Sequence, residues 1–281
     1  MIFLKQSIGF VLGIAIASSF FIPVVTAAPP VLGSGNWAGY VSREGEHEGV
    51  GAKWIVPKAN TETPIRGHAT WVGVGGFGST DLIQSGTLAL VDGNGIAHYR
   101  AWYELLPEAA VIIPLEVRAG DRISVSINKK TGDTWHIAFV NLTTKKSFTK
   151  LVEYESAGTT ADWVHEMASL GDSIKLPLDD FPPVTFTDAW TTVDGARLSI
   201  TESKGSRVYM NDDARTPLVR VNKATKNGSE FTISRTSKKV TLGSVNKNNQ
   251  KISVQNARIK DISLKKLSAT ETPFSLTVKW E

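Results

Sequence analysis

The chain has 281 residues, 41% of them hydrophobic and 21% charged, with a formal net charge of +4. That balance fits one large globular domain, or one domain with a small appendage, and excludes disordered and collagen-like chains. Cysteine is absent, which removes thiol catalysis, cysteine-ligated metal centres and disulfide staples together.

The N-terminus reads as a secretory signal, residues 1–27. Lys5 supplies a positive start, Ile8 to Ile22 form an apolar stretch, and Val25-Thr26-Ala27 puts small residues at the −3 and −1 positions of a cleavage site. The apolar run is shorter than the roughly 20 residues a membrane span needs. Cleavage after Ala27 and release to the extracellular medium are therefore expected.

Beyond it the dominant period is two. Short strands are expected near residues 37–41, 52–56, 70–74, 82–90, 99–105 and 111–117. The run Arg122-Ile123-Ser124-Val125-Ser126-Ile127-Asn128 alternates, with Ile123, Val125 and Ile127 on one face. Residues 129–133 contain Gly132 and read as a hairpin loop, and 134–141 returns through Trp135, Ile137 and Phe139. Further strands are expected near 148–154, 184–189, 218–221 and 231–234. No helical stripe interrupts them. The pattern predicts an all-β fold, a sandwich of antiparallel sheets over residues 28–237, with aromatic residues filling the space between layers. Residues 238–281 read as a basic, β-rich extension.

Charge is unevenly placed. Residues 28–194 carry 13 Lys/Arg against 20 Asp/Glu, whereas residues 195–281 carry 17 against 7. A basic tail on an acidic body suits an anionic surface such as cell-wall polymer or lipid headgroups. A solvated strand surface accounts for the same charges, and no nucleic acid is expected as a partner.

Familiar catalytic layouts are missing. There is no Gly-x-Ser-x-Gly elbow, and none of His47, His68, His98, His136 and His165 forms a His-x-x-x-His pair. Gly73-x-Gly75-Gly76-x-Gly78 follows a strand but leads into no helix, so it does not cradle phosphate. His47, flanked by Glu46 and Glu48, reads as part of a solvated loop. Asn141-Leu142-Thr143 is a formal glycosylation sequon.

What remains is a set of polar residues inside tryptophan-rich strands. Gln84 sits in Leu82-Ile83-Gln84-Ser85-Gly86, and Glu104 in Ala101-Trp102-Tyr103-Glu104. In Ala161-Asp162-Trp163-Val164-His165-Glu166, an extended strand turns Asp162, Val164 and Glu166 to one face and Trp163 and His165 to the other. Two carboxyls sharing a face can raise each other's pKa.

Together with Asn36-Trp37-Ala38-Gly39-Tyr40, Trp54-Ile55-Val56-Pro57, Trp71-Val72-Gly73-Val74-Gly75-Gly76 and Asn141-Leu142-Thr143, these segments resemble the eqolisin family of glutamic peptidases in order and spacing. The resemblance covers residues 36–200, and more loosely to 237. It implies a sandwich of two long curved sheets of concanavalin-like architecture, with substrate across a concave face. It maps the catalytic glutamine onto Gln84 and the catalytic glutamate onto Glu166. Trp71, Trp102, Glu104, Asp162 and Trp37 are expected to line the cleft, whereas Trp54 and Trp135 are expected in the core. Three features depart from the family pattern. Asp162 replaces a glutamate, His165 stands where an apolar residue is usual, and only eight residues, Ala28 to Gly35, separate the signal from the core.

The implied activity is endopeptidase cleavage of protein or peptide substrates, needing neither metal nor organic cofactor. Glu166 takes a proton from water and returns it to the leaving nitrogen. Gln84 orients that water and donates to the oxyanion, a contribution typically worth about 10²–10³ in rate. A non-catalytic sandwich binding polysaccharide through its tryptophans is the competing reading. A glycoside hydrolase using Glu104 and Glu166 is a third. Gln84 discriminates among them, because sugar cleavage has no use for that amide.

Overall fold

The computed structural model describes residues 30–170, 174–213, 215–225 and 227–236, and the backbone of short strands beyond. The expected signal at 1–27 lies outside the described residues, as does most of the extension 238–281. Within that extension Ser244–Val245 pairs with Lys251–Ile252, and Ile259–Lys265 with Ser275–Trp280.

No helix occurs among the described residues. The first strands are β1 (Leu32–Ser34), β2 (Trp37–Ser42), β3 (His47–Ile55), β4 (Arg66–Gly75), β5 (Leu82–Val91) and β6 (Ala97–Leu105). Next come β7 (Val111–Ile113), β8 (Arg122–Lys129), β9 (Thr134–Asn141), β10 (Lys146–Glu153), β11 (Ala161–Met167), β12 (Ser169–Leu170) and β13 (Ile174–Lys175). The last are β14 (Val184–Val193), β15 (Ala196–Ser199), β16 (Ser206–Asn211), β17 (Pro217–Val221) and β18 (Phe231–Arg235). β7 is shorter than expected because Pro114 follows it and cannot donate to a ladder. β1, β12, β13, β15 and β16 are additions to the expected set.

The expected sandwich is built from one sheet folded over itself. One layer runs β7-β6-β5-β4-β11-β2-β16-β17-β18 and the other β10-β9-β8-β3-β14. Pairing along this path is antiparallel, and β1 adds to β16 in parallel. β14 joins the layers: Val184–Phe186 pairs with β18, and Thr187–Val193 pairs with β3. The register shifts between Thr187 and Trp190, with Asp188 at φ 49°. A bulge there lets one strand bend from one layer into the next.

The core lies between the layers and is made by alternation. Ile123, Val125 and Ile127 of β8, and Trp135, Ile137 and Phe139 of β9, are all buried there, as expected, together with Trp54 and Trp163. Burying each large apolar side chain contributes about 1.5–3 kcal/mol. Two tryptophans also bond across the gap: Trp163 Nε1 donates to Gly51 O at 3.1 Å and Trp54 Nε1 to Thr87 Oγ1 at 3.1 Å. β4 and β5 are buried on both faces, because a second apolar cluster covers the side turned away from the core. It contains Ala69, Trp71, Leu82, Trp102 and Val164, with Trp37, Leu88, Leu106 and Ile112 against it. The glycine run after β4 makes the β4–β5 turn, with Gly75, Gly76 and Gly78 all at positive φ.

One local expectation is corrected. His47 is fully buried rather than solvated, and its Nδ1 lies 2.8 Å from Thr191 Oγ1. It starts β3 opposite Val193, so the pairing with β14 carries it inward. Asn141 is also fully buried. Its Nδ2 donates to Asp121 Oδ2 at 2.9 Å, and its Oδ1 accepts from the backbone N–H groups of Thr143 and Thr144. The sequon asparagine is a turn anchor. Produced in a glycosylating host, the folded protein is expected to carry no glycan at Asn141, as intact-mass and peptide mass spectrometry would show.

Candidate active site

The second apolar cluster surrounds a set of polar atoms on the same face. Strands β2, β11, β4, β5 and β6 lie side by side there, and their register arranges the face in rows. Val41, Asp162, Gly73, Gln84 and Glu104 form one row. The next holds Gly39, Val164, Trp71, Gly86 and Trp102, and the third Trp37, Glu166, Ala69, Leu88 and Arg100. Every residue expected at the cleft, Trp37, Trp71, Gln84, Trp102, Glu104, Asp162 and Glu166, falls on this face. Gly86 makes room for the middle row, since a Cβ there would stand 2.5 Å from Trp71 Cβ.

Glu166 is held by three donors. Asn36 Nδ2 and Trp37 Nε1 donate to Oε1 at 2.8 and 3.1 Å, and Trp71 Nε1 donates to Oε2 at 2.8 Å. Trp37 meets Trp71 edge-on, ring centres 4.9 Å apart, which keeps both indoles aimed at the carboxyl. Burial pushes the carboxyl up to about 7. The three donors oppose that rise, and the Glu104 charge adds to it. The result is a carboxyl that exchanges a proton near neutrality.

Gln84 is buried, 5% exposed. Its Nε2 donates to Glu104 Oε2 at 2.6 Å, across the β5–β6 ladder. A carboxylate can only accept, so Glu104 fixes which end of the amide faces it. Gln84 Oε1 is then a buried acceptor without a hydrogen-bond partner. Trp102 Nε1 is likewise a buried donor without one. Buried polar groups are ordinarily satisfied, so such atoms in a cleft mark where a ligand or water bonds.

The structure does not treat all the expected residues alike. Trp37, Glu104 and Glu166 keep partial exposure, whereas Trp71 and Asp162 are fully covered. Asp162, expected to line the cleft, has no exposed surface. Its Oδ2 accepts from Thr160 Oγ1 at 3.0 Å, and burial pushes its carboxyl well above the usual range. It is a covered member of Gln84's own row, two strands away, and is not presented to substrate. Gln84 and Glu166 share no hydrogen bond. Their backbone positions are two strands and four residues apart, with Trp71 between them. Asn36 is the Glu166 partner that strand patterning misses, because it precedes β2. Its place beside Trp37 in the Asn36-Trp37 segment was the available signal.

Because the Glu104 charge helps raise Glu166, removing it has a defined sign. With Glu104→Gln the Glu166 carboxyl is expected to ionise at lower pH. A rate requiring ionised Glu166 rises through about 7 in the wild type, and that limb should move acidward in the variant. The pH dependence of kcat/KM checks this.

A buried glutamine amide and a clamped glutamate on one face of an all-β sheet fit the glutamic peptidases, a class of hydrolases. The model of the Peptidase A4 family matches residues 35–235, and the chain belongs to that family. It is 30% identical over 189 residues to Scytalidopepsin B of Scytalidium lignicola, covering 63% of this chain and 71% of that protein. Among solved structures it is similar to scytalido-glutamic peptidase with a transition state analog inhibitor. There the TM-score is 0.63 at 25% identity, over 72% of this chain and 99% of that one. For aspergilloglutamic peptidase from Aspergillus niger the TM-score is 0.54 at 26% identity, over 61% and 99%.

Proposed function

We propose that the chain is a secreted endopeptidase in which Gln84 and Glu166 act as a dyad on the peptide bonds of protein substrates. The observation that carries this reading is the pairing of a partnerless buried acceptor, Gln84 Oε1, with a three-donor carboxylate on one face. A peptide laid across this face between Gln84 and Glu166 meets both groups. Glu166 removes a proton from water, and the water oxygen bonds to the scissile carbonyl carbon. The oxyanion accepts the Gln84 N–H that Glu104 leaves unused, while Gln84 Oε1 holds the water's second hydrogen. Glu166 then passes its proton to the amide nitrogen as the C–N bond breaks. The peptide-based transition state analog bound in scytalido-glutamic peptidase supports a peptide-like ligand here.

Secretion rests on the signal-like residues 1–27. Residues 238–281, with nine Lys/Arg against three Asp/Glu, are proposed to attract an anionic surface. Retention on an anionic resin that falls with rising salt tests that part.

Digestion of a denatured protein substrate across a range of pH tests the main reading. Among the described residues no three His, Asp or Glu side chains converge to hold a metal, and the chain has no cysteine. Cleavage is therefore expected to survive chelators and thiol- or serine-directed reagents. Loss on chelation with recovery on adding zinc would refute the dyad.

A further inference from the structure

Under the proposed dyad, on the inward face of β4 and β11, lies a second polar cluster that the mechanism does not use. Thr70, His165, His68 and Asp179 are all buried, none more than 1% exposed. Thr70 Oγ1 lies 2.9 Å from His165 Nδ1. The His165 ring packs 5.0 Å from that of His68 and 3.9 Å from that of Phe181. His68 Nδ1 stands 3.2 Å from Asp179 Oδ2 without hydrogen-bonding to it, and Asp179 accepts from the backbone N–H groups of Asn60 and Asp180. Arg66 donates to Leu178 O, and Arg235 stands 3.5 Å from Asp180.

An apolar pair at positions 70 and 165 would fill this space without desolvating an imidazole and a hydroxyl. Buried polar pairs are costly unless their geometry is used. The register shows what this geometry reaches. Thr70 and His165 are directly opposite each other in the β4–β11 ladder. Their next residues along each strand are Trp71 and Glu166, which bond to each other on the opposite face. Two side-chain hydrogen bonds thus straddle the same pair of strands, one from beneath and one at the site.

We infer that Thr70 and His165 are positioning residues for the peptidase site, their hydrogen bond fixing β4 against β11 so that Trp71 reaches Glu166. This rests on the dyad reading above. The rings of His68 and Phe181 pack against the His165 ring. Burial keeps the His165 imidazole well below its ordinary range, with the His68 and Arg235 charges adding to the effect. The bond therefore joins neutral groups over the pH range in which Glu166 titrates.

The test uses the full chain and a peptide substrate. Thr70→Val removes the hydroxyl at constant shape, and Thr70→Ser keeps it. Thr70→Val is expected to lower kcat about 10-fold with KM within about threefold, since small misplacements of reacting groups act on kcat. Its acid limb should also move to higher pH, because a loosened Trp71 N–H no longer favours ionised Glu166. Thr70→Ser should restore both. His165→Asn, which can still accept from Thr70, should exceed His165→Leu in kcat, and this pair decides the matter if Thr70→Val does not fold. An unmoved limb with wild-type kcat in Thr70→Val, or equal losses in Thr70→Val and Thr70→Ser, overturns the inference. Full activity of Glu166→Gln would instead overturn the dyad itself.

Discussion

Glu166→Gln is expected to lower kcat about 10²–10⁴-fold while the protein stays folded, because general acid–base transfer is typically worth that much and no second carboxyl can take over. Glu104 is committed to Gln84, and Asp162 is covered. A folding control follows from the same carboxyl. Its native pKa of about 7 lies above its ordinary value of 4.5. The native state therefore binds the proton more tightly, and this contribution to stability is complete below about 4.5 and lost as pH rises through 7. The amide does not titrate. The stability of Glu166→Gln relative to wild type should thus increase from pH 5 to pH 8, whatever its value at pH 5. Thermal melts at both pH values and progress curves on one peptide measure the two effects separately. A variant with near wild-type turnover would end the proposed mechanism.

The second large effect is expected at Gln84. Gln84→Ala removes the oxyanion donor and the partnerless acceptor together, and also leaves Glu104 without its 2.6 Å partner. Loss of one oxyanion donor costs about 10²–10³ in kcat. KM should change less, since the interaction forms fully only in the transition state. Gln84→Glu offers a sharper comparison. It keeps the length but sets a second acid against Glu104, so its residual activity should be confined to pH low enough to protonate one of them. A Gln84→Ala enzyme within tenfold of wild type would mean that the amide is not part of the reaction.

Much of this site was legible in the sequence because strands alternate. One face for Asp162, Val164 and Glu166, and the other for Trp163 and His165, follows from a period of two, and the structure places them so. The core roles of Trp54 and Trp135 follow likewise from the apolar runs around them. What alternation cannot show is which strand lies alongside. His47 looks solvated between two glutamates, yet a neighbour more than a hundred residues later, β14, buries it. Asp162 looks like a cleft residue until Thr160 is seen to cover one oxygen. Asn36 lies before its strand begins, where no periodicity applies, and its role depends on Glu166 across 130 residues of chain. Asn141 matches a modification signal, but Asp121 before β8 and the turn after β9 engage the two ends of its amide.

The way the sheet is closed also governs when it can form. β3 is flanked by β8 and β14, and β2 by β11 and β16. The strands made first thus wait for partners made last, and β14 must be present before the two layers are joined at all. Topologies dominated by such distant pairings fold slowly, since loop closure is spent before the contacts return anything. A nascent chain of this kind remains open, with its earliest strands unpaired, until most of the domain has emerged. If the chain is exported as proposed, that delay would keep it threadable until it has crossed.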